Sequence, residues 1–330
     1  MSRAKEIFNR WFKQVALVAT VVGIGVALVG QRKAIADFDW QLNLGVMAGS
    51  IALFALAPLV QGFCFWLVLR SLEVPSRLDE AMLIWSRSFL LRYAPSGALA
   101  LVIRVKSQDR LKASSGHIYT SFGYEQLVAL LSGAVACVGA FLLDADQPPW
   151  IAVAILAVAV VVAVIARPAF LGRFAQDRLQ RRGMSVPSIM RGRHVAAISA
   201  VNLLGWIATG AAAYLLVCSL TTEHRPAFLW LLGAYSFAWL LGFVVPLLPG
   251  GLGLRDGTLI AFLATTTGVG AATAIAIALR LANTLGEFVA IGLVELAYQT
   301  VVRSRPARRR IALGVRSSTD PRPVVTDDAS

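Results

Sequence analysis

Polar side chains recur along one face of the last long apolar run of the sequence. Arg280, Asn283 or Thr284, Glu287 and Glu295 follow one another at intervals of three, four and eight residues, so on a helix they share one face. A charge in the middle of a membrane span costs at least ~2.5–3.5 kcal/mol. We therefore expect Arg280 and Glu287 to face the protein interior and to pair, either at a binding site or in a purely structural ion pair.

A second ionisable group follows a glycine-rich stretch. Gly250, Gly251 and Gly253 come directly before Arg255 and Asp256. Glycines that open a helix expose backbone N–H groups to an anion. The stretch is no dinucleotide fingerprint, because the preceding strand and the βαβ setting are lacking. We expect the Arg–Asp pair either to help bind an anion or simply to close the helix end.

Proline and glycine interrupt the helical pattern in two segments, one in each half of the chain. The residues that mark the two breaks are Tyr93, Pro95, Gly97, Pro249, Gly250, Gly251 and Gly253. Inside a bilayer, backbone groups freed in this way must find partners in protein or trapped water. Paired breaks of this kind indicate a transporter's substrate site. We predict two re-entrant segments around a polar cavity, the first entering from the cytoplasm and leaving on the same side.

Glu125 lies about two turns into an apolar run that begins near residue 118. We expect this carboxylate to face the first broken segment, where Arg104 is the candidate partner that neutralises it. Both residues therefore join the candidate site residues.

No arrangement typical of an enzyme is present in the sequence. It contains no G-x-S-x-G motif and no phosphate loop that ends in Gly-Lys-Ser or Gly-Lys-Thr. The cysteines and histidines are scattered without ligand spacing: Cys64, Cys137, Cys218, His117, His194 and His224. We expect no enzymatic activity, no metal and no cofactor.

The composition indicates that membrane-spanning helices position the candidate site residues. The 330-residue chain is 57% hydrophobic, with a formal net charge of +13 and a mean hydropathy of +0.69, whereas soluble domains are ~45–50% apolar. Since a membrane span needs about 20 residues, the sequence predicts an all-α polytopic membrane protein. Its basic residues lie between apolar runs and at the ends, which disfavours nucleic acid as a partner.

Apolar runs predict about eight crossings. The runs long enough to span cover residues 15–29, 44–69, 118–143, 150–166, 195–218, 227–247 and 271–299. A shorter run at 254–268 reaches across only if the broken segment before it completes the depth. The first run is expected to be retained rather than cleaved, because Arg32 and Lys33 follow it.

Charge asymmetry sets the orientation. The long loops between the second and third spans and between the fourth and fifth are rich in arginine, so they are predicted to be cytoplasmic together with both termini. The expected organisation is a basic N-terminus at 1–13, a transmembrane domain at 14–300 and a disordered basic tail at 301–330.

These features together resemble the transmembrane region of lysylphosphatidylglycerol synthases and its flippase-like relatives, over about residues 10–300. The matching positions are Tyr93, Pro95, Gly97, Arg104, Arg110, Glu125, the stretch from Pro249 to Gly257, and Arg280. The resemblance implies that an acid and Arg280 come together. Relatives usually carry Glu where this chain has Asp256. No soluble aminoacyl-transferase domain is expected, so lipid aminoacylation is not carried over.

Residues and resemblance together lead to one expected function. It is binding or translocation of a phospholipid, or another polar-headed envelope lipid, across the cytoplasmic membrane. The expected headgroup is anionic or zwitterionic. Its phosphate would be bound by Arg255, Arg280 and helix N-termini. A cationic moiety would be bound by Asp256, Glu287 or Glu125. Two alternatives stay open: a secondary transporter of a small anionic solute, and a non-transporting scaffold for envelope lipid or glycan synthesis. The oligomeric state is also left open.

Overall fold

The structure is a computed structural model that describes residues 29, 32–36, 40–91, 98–143, 189–221, 225–244 and 253–303. The regular secondary structure within these ranges is entirely helical, which confirms the predicted all-α class. The helices are α1 (Arg32–Ala36), α2 (Leu44–Ser71), α3 (Leu78–Leu90), α4 (Ala98–Lys106), α5 (Gln108–Leu111), α6 (Ser115–Leu143), α7 (Gly192–Leu220), α8 (Phe228–Val244) and α9 (Leu254–Arg303).

Four of the described helices, α2, α6, α7 and α9, are long and apolar enough to cross a membrane, and α8 is a shorter apolar helix. They coincide with the predicted spans at 44–69, 118–143, 195–218 and 227–247, and α9 covers the two predicted runs at 254–268 and 271–299. The predicted span at 150–166, and that at 15–29 apart from its last residue, lie outside the described residues. So do the N-terminus at 1–13 and the tail beyond residue 303. The chain is a multi-pass membrane protein.

The bundle is centred on α2, which packs against α3, α6, α7 and α9. Asn43 begins the helix, since its side chain accepts a hydrogen bond of 3.1 Å from the backbone N–H of Val46. Small residues bring the helices close together: a Cβ on Gly205 of α7 would lie 3.5 Å from Val60 of α2. Without a hydrophobic driving force inside the bilayer, such close van der Waals packing is what holds spans together.

The region between α2 and α6 forms short helices instead of a span. α3 has 13 residues and α4 has 9, so they are about 20 Å and 14 Å long, too short to cross the ~30 Å hydrocarbon core. They pack against each other, and the first predicted break, 92–97, lies between them, outside the described residues. The re-entrant course of this segment stays a prediction.

Helix α9 reverses direction at Gly268. This residue has φ 75° and ψ 158°, a combination open essentially to glycine alone. It divides α9 into α9a (254–267) and α9b (269–303). A straight helix would separate residues 256 and 280 by about 36 Å, yet their side chains are in contact at 2.8 Å. The two legs are therefore antiparallel, and the predicted runs at 254–268 and 271–299 form one tight helical hairpin.

Candidate functional site

A polar cavity lies inside the bundle, between α2, α7, α8 and both legs of α9, and Phe89 of α3 also lies on its wall. Its volume is about 40 Å³, which is room for about three water molecules. Its polar side chains come from five elements: Gln61, Asn202, Tyr235, Arg255, Asn283 and Glu287. Polar groups at the centre of a membrane bundle are costly, so their convergence makes this cavity the candidate functional site.

Arg255 begins a chain of hydrogen bonds along the cavity wall. Its Nη2 donates to the hydroxyl of Tyr235 at 2.5 Å, the hydroxyl donates to Asn283 Oδ1 at 3.4 Å, and Asn283 Nδ2 donates to Glu287 Oε1 at 2.6 Å. Among the residues that the structure describes, no carboxylate lies within 4.0 Å of Arg255. The wall thus presents a guanidinium whose charge has no close acidic partner in the described part of the chain.

Asp256 and Arg280 form an ion pair beside this chain of hydrogen bonds. Arg280 Nη1 lies 2.8 Å from both carboxylate oxygens of Asp256. The Arg280 side chain is 29% exposed and the Asp256 side chain 15%, so water partly reaches the pair. This is the meeting of an acid with Arg280 that the resemblance implies. Arg255 directly precedes Asp256 in the chain, so it is a neighbour of an ion pair whose two charges compensate each other.

A close approach of α9b to α2 brings the polar stripe to the cavity. A Cβ on Gly286 would lie 2.5 Å from Cβ of Phe54 and 2.8 Å from its carbonyl carbon. Pro58 has no N–H, so it cannot donate the helical hydrogen bond to the Phe54 carbonyl. Gly286 therefore packs on the backbone of α2 at its proline site and holds Asn283 and Glu287 toward the interior. Sequence reasoning missed this contact, although a proline inside α2 and a glycine within the stripe were the available signals.

Arg104 and Glu125 make a separate, buried site. The Arg104 side chain is 3% exposed; its Nη1 and Nη2 both donate to the Glu125 carboxylate, and its Nε donates to Ser88 Oγ at 2.8 Å. Trp85 Nε1 donates to Glu125 Oε1 at 2.7 Å, and the Phe65 ring lies 4.6 Å from the guanidinium carbon. Neither charge is among the described residues that line the cavity. The pairing agrees with the sequence expectation, and its saturated contacts indicate that it positions α4 against α6.

Glu295 lies outside the cavity, although it belongs to the polar stripe of α9b. Its carboxylate accepts from Arg87 Nη2 of α3 at 2.8 Å. Nearby, Arg110 Nη2 donates to Glu80 at 2.6 Å and to the Tyr298 hydroxyl at 3.0 Å. Partial burial lowers the pKa of Arg110, whereas Glu80 and Tyr298 raise it, and the net shift is upward. We name these five residues the α3–α9 clamp.

The remaining candidate residues belong to the two breaks. Tyr93, Pro95, Gly97, Pro249, Gly250 and Gly251 lie outside the described residues. Gly253 is described and has φ 89°, a left-handed conformation that suits glycine. It directly precedes α9a, which supports an interruption before that helix. The described ranges contain no cluster of three or more His, Cys, Asp or Glu residues that could hold a metal ion.

Comparison with known proteins places this architecture in a family. A comparison with curated proteins gave no match. A family model described as "Lysylphosphatidylglycerol synthase TM region" matches residues 11–284. The match covers most of the chain, including the cavity residues up to Asn283, the Arg104–Glu125 pair and Arg280. The chain therefore belongs to the family of the lysylphosphatidylglycerol synthase transmembrane region.

Proposed function

We propose that this protein binds a lipid with an anionic or zwitterionic headgroup and moves it across the cytoplasmic membrane. The observation that carries the proposal is Arg255, a cation on the wall of a polar cavity inside an apolar bundle, with no carboxylate within 4.0 Å among the described residues. A guanidinium in such surroundings favours an anion, and its planar donors match the oxygens of a phosphate.

The neighbouring charges fit a headgroup that carries both signs. Arg280 and Asp256 compensate each other and are not among the described residues that line the cavity, whereas Glu287 lines it. We propose that Glu287, and Asp256 beside the cavity, meet a cationic moiety. We assign phosphate binding to Arg255 first and to Arg280 second. Glu287 is the principal acceptor for an ammonium group.

A lipid is favoured over a small solute by the outer face of α9b. On this leg, an apolar stripe adjoins the polar stripe that carries Arg280, Asn283 and Glu287. Its members, all half or more exposed, are Leu281, Leu285, Phe288, Leu293 and Leu296. A molecule with a polar head and acyl chains has a matching surface on both stripes, whereas a soluble anion uses only one. Membership of a family named after a lipid synthase supports the same choice.

The cavity of about 40 Å³ is too small for a phospholipid headgroup. Binding therefore requires the helices around it to separate. We propose binding and translocation rather than covalent chemistry, with both termini and the basic loops on the cytoplasmic side, because the loops follow the positive-inside distribution.

Vesicle reconstitution tests this function. The purified protein is inserted into vesicles that contain fluorescent phospholipids, and a membrane-impermeant quencher reports which leaflet they occupy. Wild type should speed the exchange of an anionic or zwitterionic probe between leaflets, and Arg255→Gln should abolish the effect. Arg193→Gln is the matched control, since Arg193 is exposed near the start of α7 and should retain activity.

The same vesicles separate the alternatives. Uptake of small anions without lipid movement would make the protein a solute transporter. Absence of both activities would favour a scaffold. Equal loss of activity in Arg193→Gln and Arg255→Gln would show that the effect is one of overall charge rather than of the cavity.

A further inference from the structure

Helices α3 and α9b run side by side in opposite directions, and the contact between them leads into the cavity. Glu80, near the start of α3, bonds to Tyr298, and Arg87, further along α3, pairs with Glu295. Phe89, near the end of α3, lines the cavity. We call this contact the α3–α9 seam. It measures about 14 Å along α3 from Glu80 to Phe89. The clamp contacts extend from Glu80 to Arg87, and the cavity lies at the Phe89 end.

The seam lies at the border between the two stripes of α9b. Successive residues of a helix are rotated by about 100° about its axis. Measured about the α9b axis from Arg280, Glu295 lies at about 60°, Phe288 at about 80° and Leu281 at about 100°. The inward polar face and the exposed apolar face therefore meet where α3 touches α9b. A lipid lying here keeps its acyl chains on exposed Leu281 and Phe288 while its headgroup faces the seam.

The ion pair that joins α3 to α9b is weak enough to open. The Arg87 and Glu295 side chains are 48% and 35% exposed, and solvent-exposed pairs contribute little to stability. The Arg104–Glu125 pair differs, because its arginine is buried and saturated with hydrogen bonds, and breaking such a pair is far more costly. Separation of α3 from α9b is therefore easier than separation of α4 from α6.

We propose that the α3–α9 seam is the lateral portal through which a lipid headgroup enters the cavity, and that the clamp of Glu80, Arg87, Arg110, Glu295 and Tyr298 holds it shut. This inference rests on the proposed function. Opening the seam moves Phe89 away from the cavity wall, enlarges the cavity and connects it to the membrane face of α9b. The acyl chains stay in the bilayer, so they are not exposed to water.

Distances across the seam test the portal without a transport assay. Spin labels are placed on cysteines at Leu78 of α3 and Ala297 of α9b, both exposed, in a background free of native cysteines. The charge reversals Arg87→Glu and Glu295→Arg each set like charges against each other and should increase the longer-distance population, by about fivefold for a change of ~1 kcal/mol. The double reversal restores opposite charges and should return the wild-type distribution.

Arg77→Glu is the matched control for these reversals. Arg77 immediately precedes α3 and is similarly exposed, but its ion pair is with Asp79, two residues away, at 3.0 Å. The same change of charge at this site should leave the distances unaltered. Equal shifts in Arg77→Glu and Arg87→Glu, or no shift in either clamp reversal, would overturn the portal.

Cross-linking then relates the seam to lipid movement. Cysteines at Arg87 and Glu295 are joined with a short cleavable bifunctional thiol reagent. Lipid exchange should be lost on cross-linking and recovered on cleavage. Undiminished exchange in the cross-linked protein places the entrance elsewhere and overturns the portal alone. A wild type that moves no lipid overturns the proposed function, and with it a portal for lipid, even where the spin-label distances show an opening seam.

Discussion

Asp256 and Arg280 lie twelve residues before and twelve residues after Gly268, and their side chains meet in an ion pair of 2.8 Å. The equal spacing shows that the two legs of α9 lie side by side in register. Leu259 and Leu263 of α9a belong to the same buried cluster as Ile275 of α9b. The ion pair therefore stands at the open end of a hairpin whose remaining length is held by apolar contacts.

A double-mutant cycle should show that this pair couples the two legs. Arg280→Ala leaves a partly buried carboxylate without its partner. We expect a loss of about 1–3 kcal/mol in unfolding free energy, below the ~3–5 kcal/mol of a fully buried pair because water reaches both groups. Asp256→Ala should cost a similar amount, and Arg280→Ala/Asp256→Ala less than the sum. Reversible unfolding in detergent measures all three.

Lipid exchange in vesicles separates stability from function for the same variants. We expect folded Arg280→Ala to insert but to stop lipid movement, because the headgroup loses a cation. A double variant as unstable as the sum of its singles would mean that the residues do not interact. Stable variants with unchanged lipid exchange would remove the Asp256–Arg280 pair from the functional site.

Sequence periodicity was sufficient for the polar stripe and for the partner of Arg104. A helix repeats every 3.6 residues whatever its neighbours, so Arg280, Asn283 and Glu287 had to share a face. Burial of a lone charge is costly, so Glu125 had to find a cation, and the basic first broken segment offered Arg104 as the candidate. Both inferences needed only local geometry and one energetic rule.

Other features depend on tertiary contacts that the sequence does not announce. A reversal near Gly268 was expected, because the runs at 254–268 and 271–299 were predicted as separate crossings, but a single glycine is compatible with a continuous helix, so the sharp turn at this one residue was not. The clamp joins Arg87 to Glu295, 208 residues apart in the chain. Arg87 was interpreted as a topology signal alone, because pattern reasoning does not pair distant exposed charges.

Removing the acid should cost far more unfolding free energy in the buried Arg104–Glu125 pair than in the exposed Arg87–Glu295 pair. Glu125→Gln leaves the guanidinium of Arg104 buried without a counter-charge, and we expect a loss of about 3–5 kcal/mol in unfolding free energy. Glu295→Gln removes the partner of exposed Arg87 and should cost less than about 1 kcal/mol. Chemical denaturation of both variants in the same detergent gives the comparison. Similar losses would contradict the assignment of Arg104 and Glu125 as the positioning pair.

Gly286 should tolerate no side chain. In Gly286→Ala the new Cβ would meet Phe54 at 2.5 Å and backbone atoms of α2 at under 3.0 Å, so the helices must separate, at a cost of about 1–3 kcal/mol. Gly292→Ala on the same helix meets nothing within 4 Å and should be neutral or stabilising by up to ~1 kcal/mol, because alanine favours helix. Thermal unfolding of both variants decides. Equal stability would show that α2 and α9b do not approach so closely.

Labelling from the two sides of the membrane should place the hairpin turn opposite the basic loops. Tyr298 contacts Arg110, and α9b runs about 45 Å from there back to Gly268, more than the ~30 Å hydrocarbon core. Exposed Lys112 and Thr266 must therefore lie on opposite sides. With basic loops inside, a membrane-impermeant thiol reagent should label Thr266→Cys in intact cells, and Lys112→Cys and Ser185→Cys only in inverted vesicles.

The controls for this experiment are the cysteine-free parent, which should take no label, and permeabilised cells, in which all three variants should. Labelling of Thr266→Cys and Lys112→Cys from the same side would rule out α9b as a complete span and would leave the hairpin on one face of the membrane. Labelling of Ser185→Cys from outside, with Thr266→Cys protected, would keep the hairpin and invert the protein. In that case, the α3–α9 clamp would hold a portal on the external side.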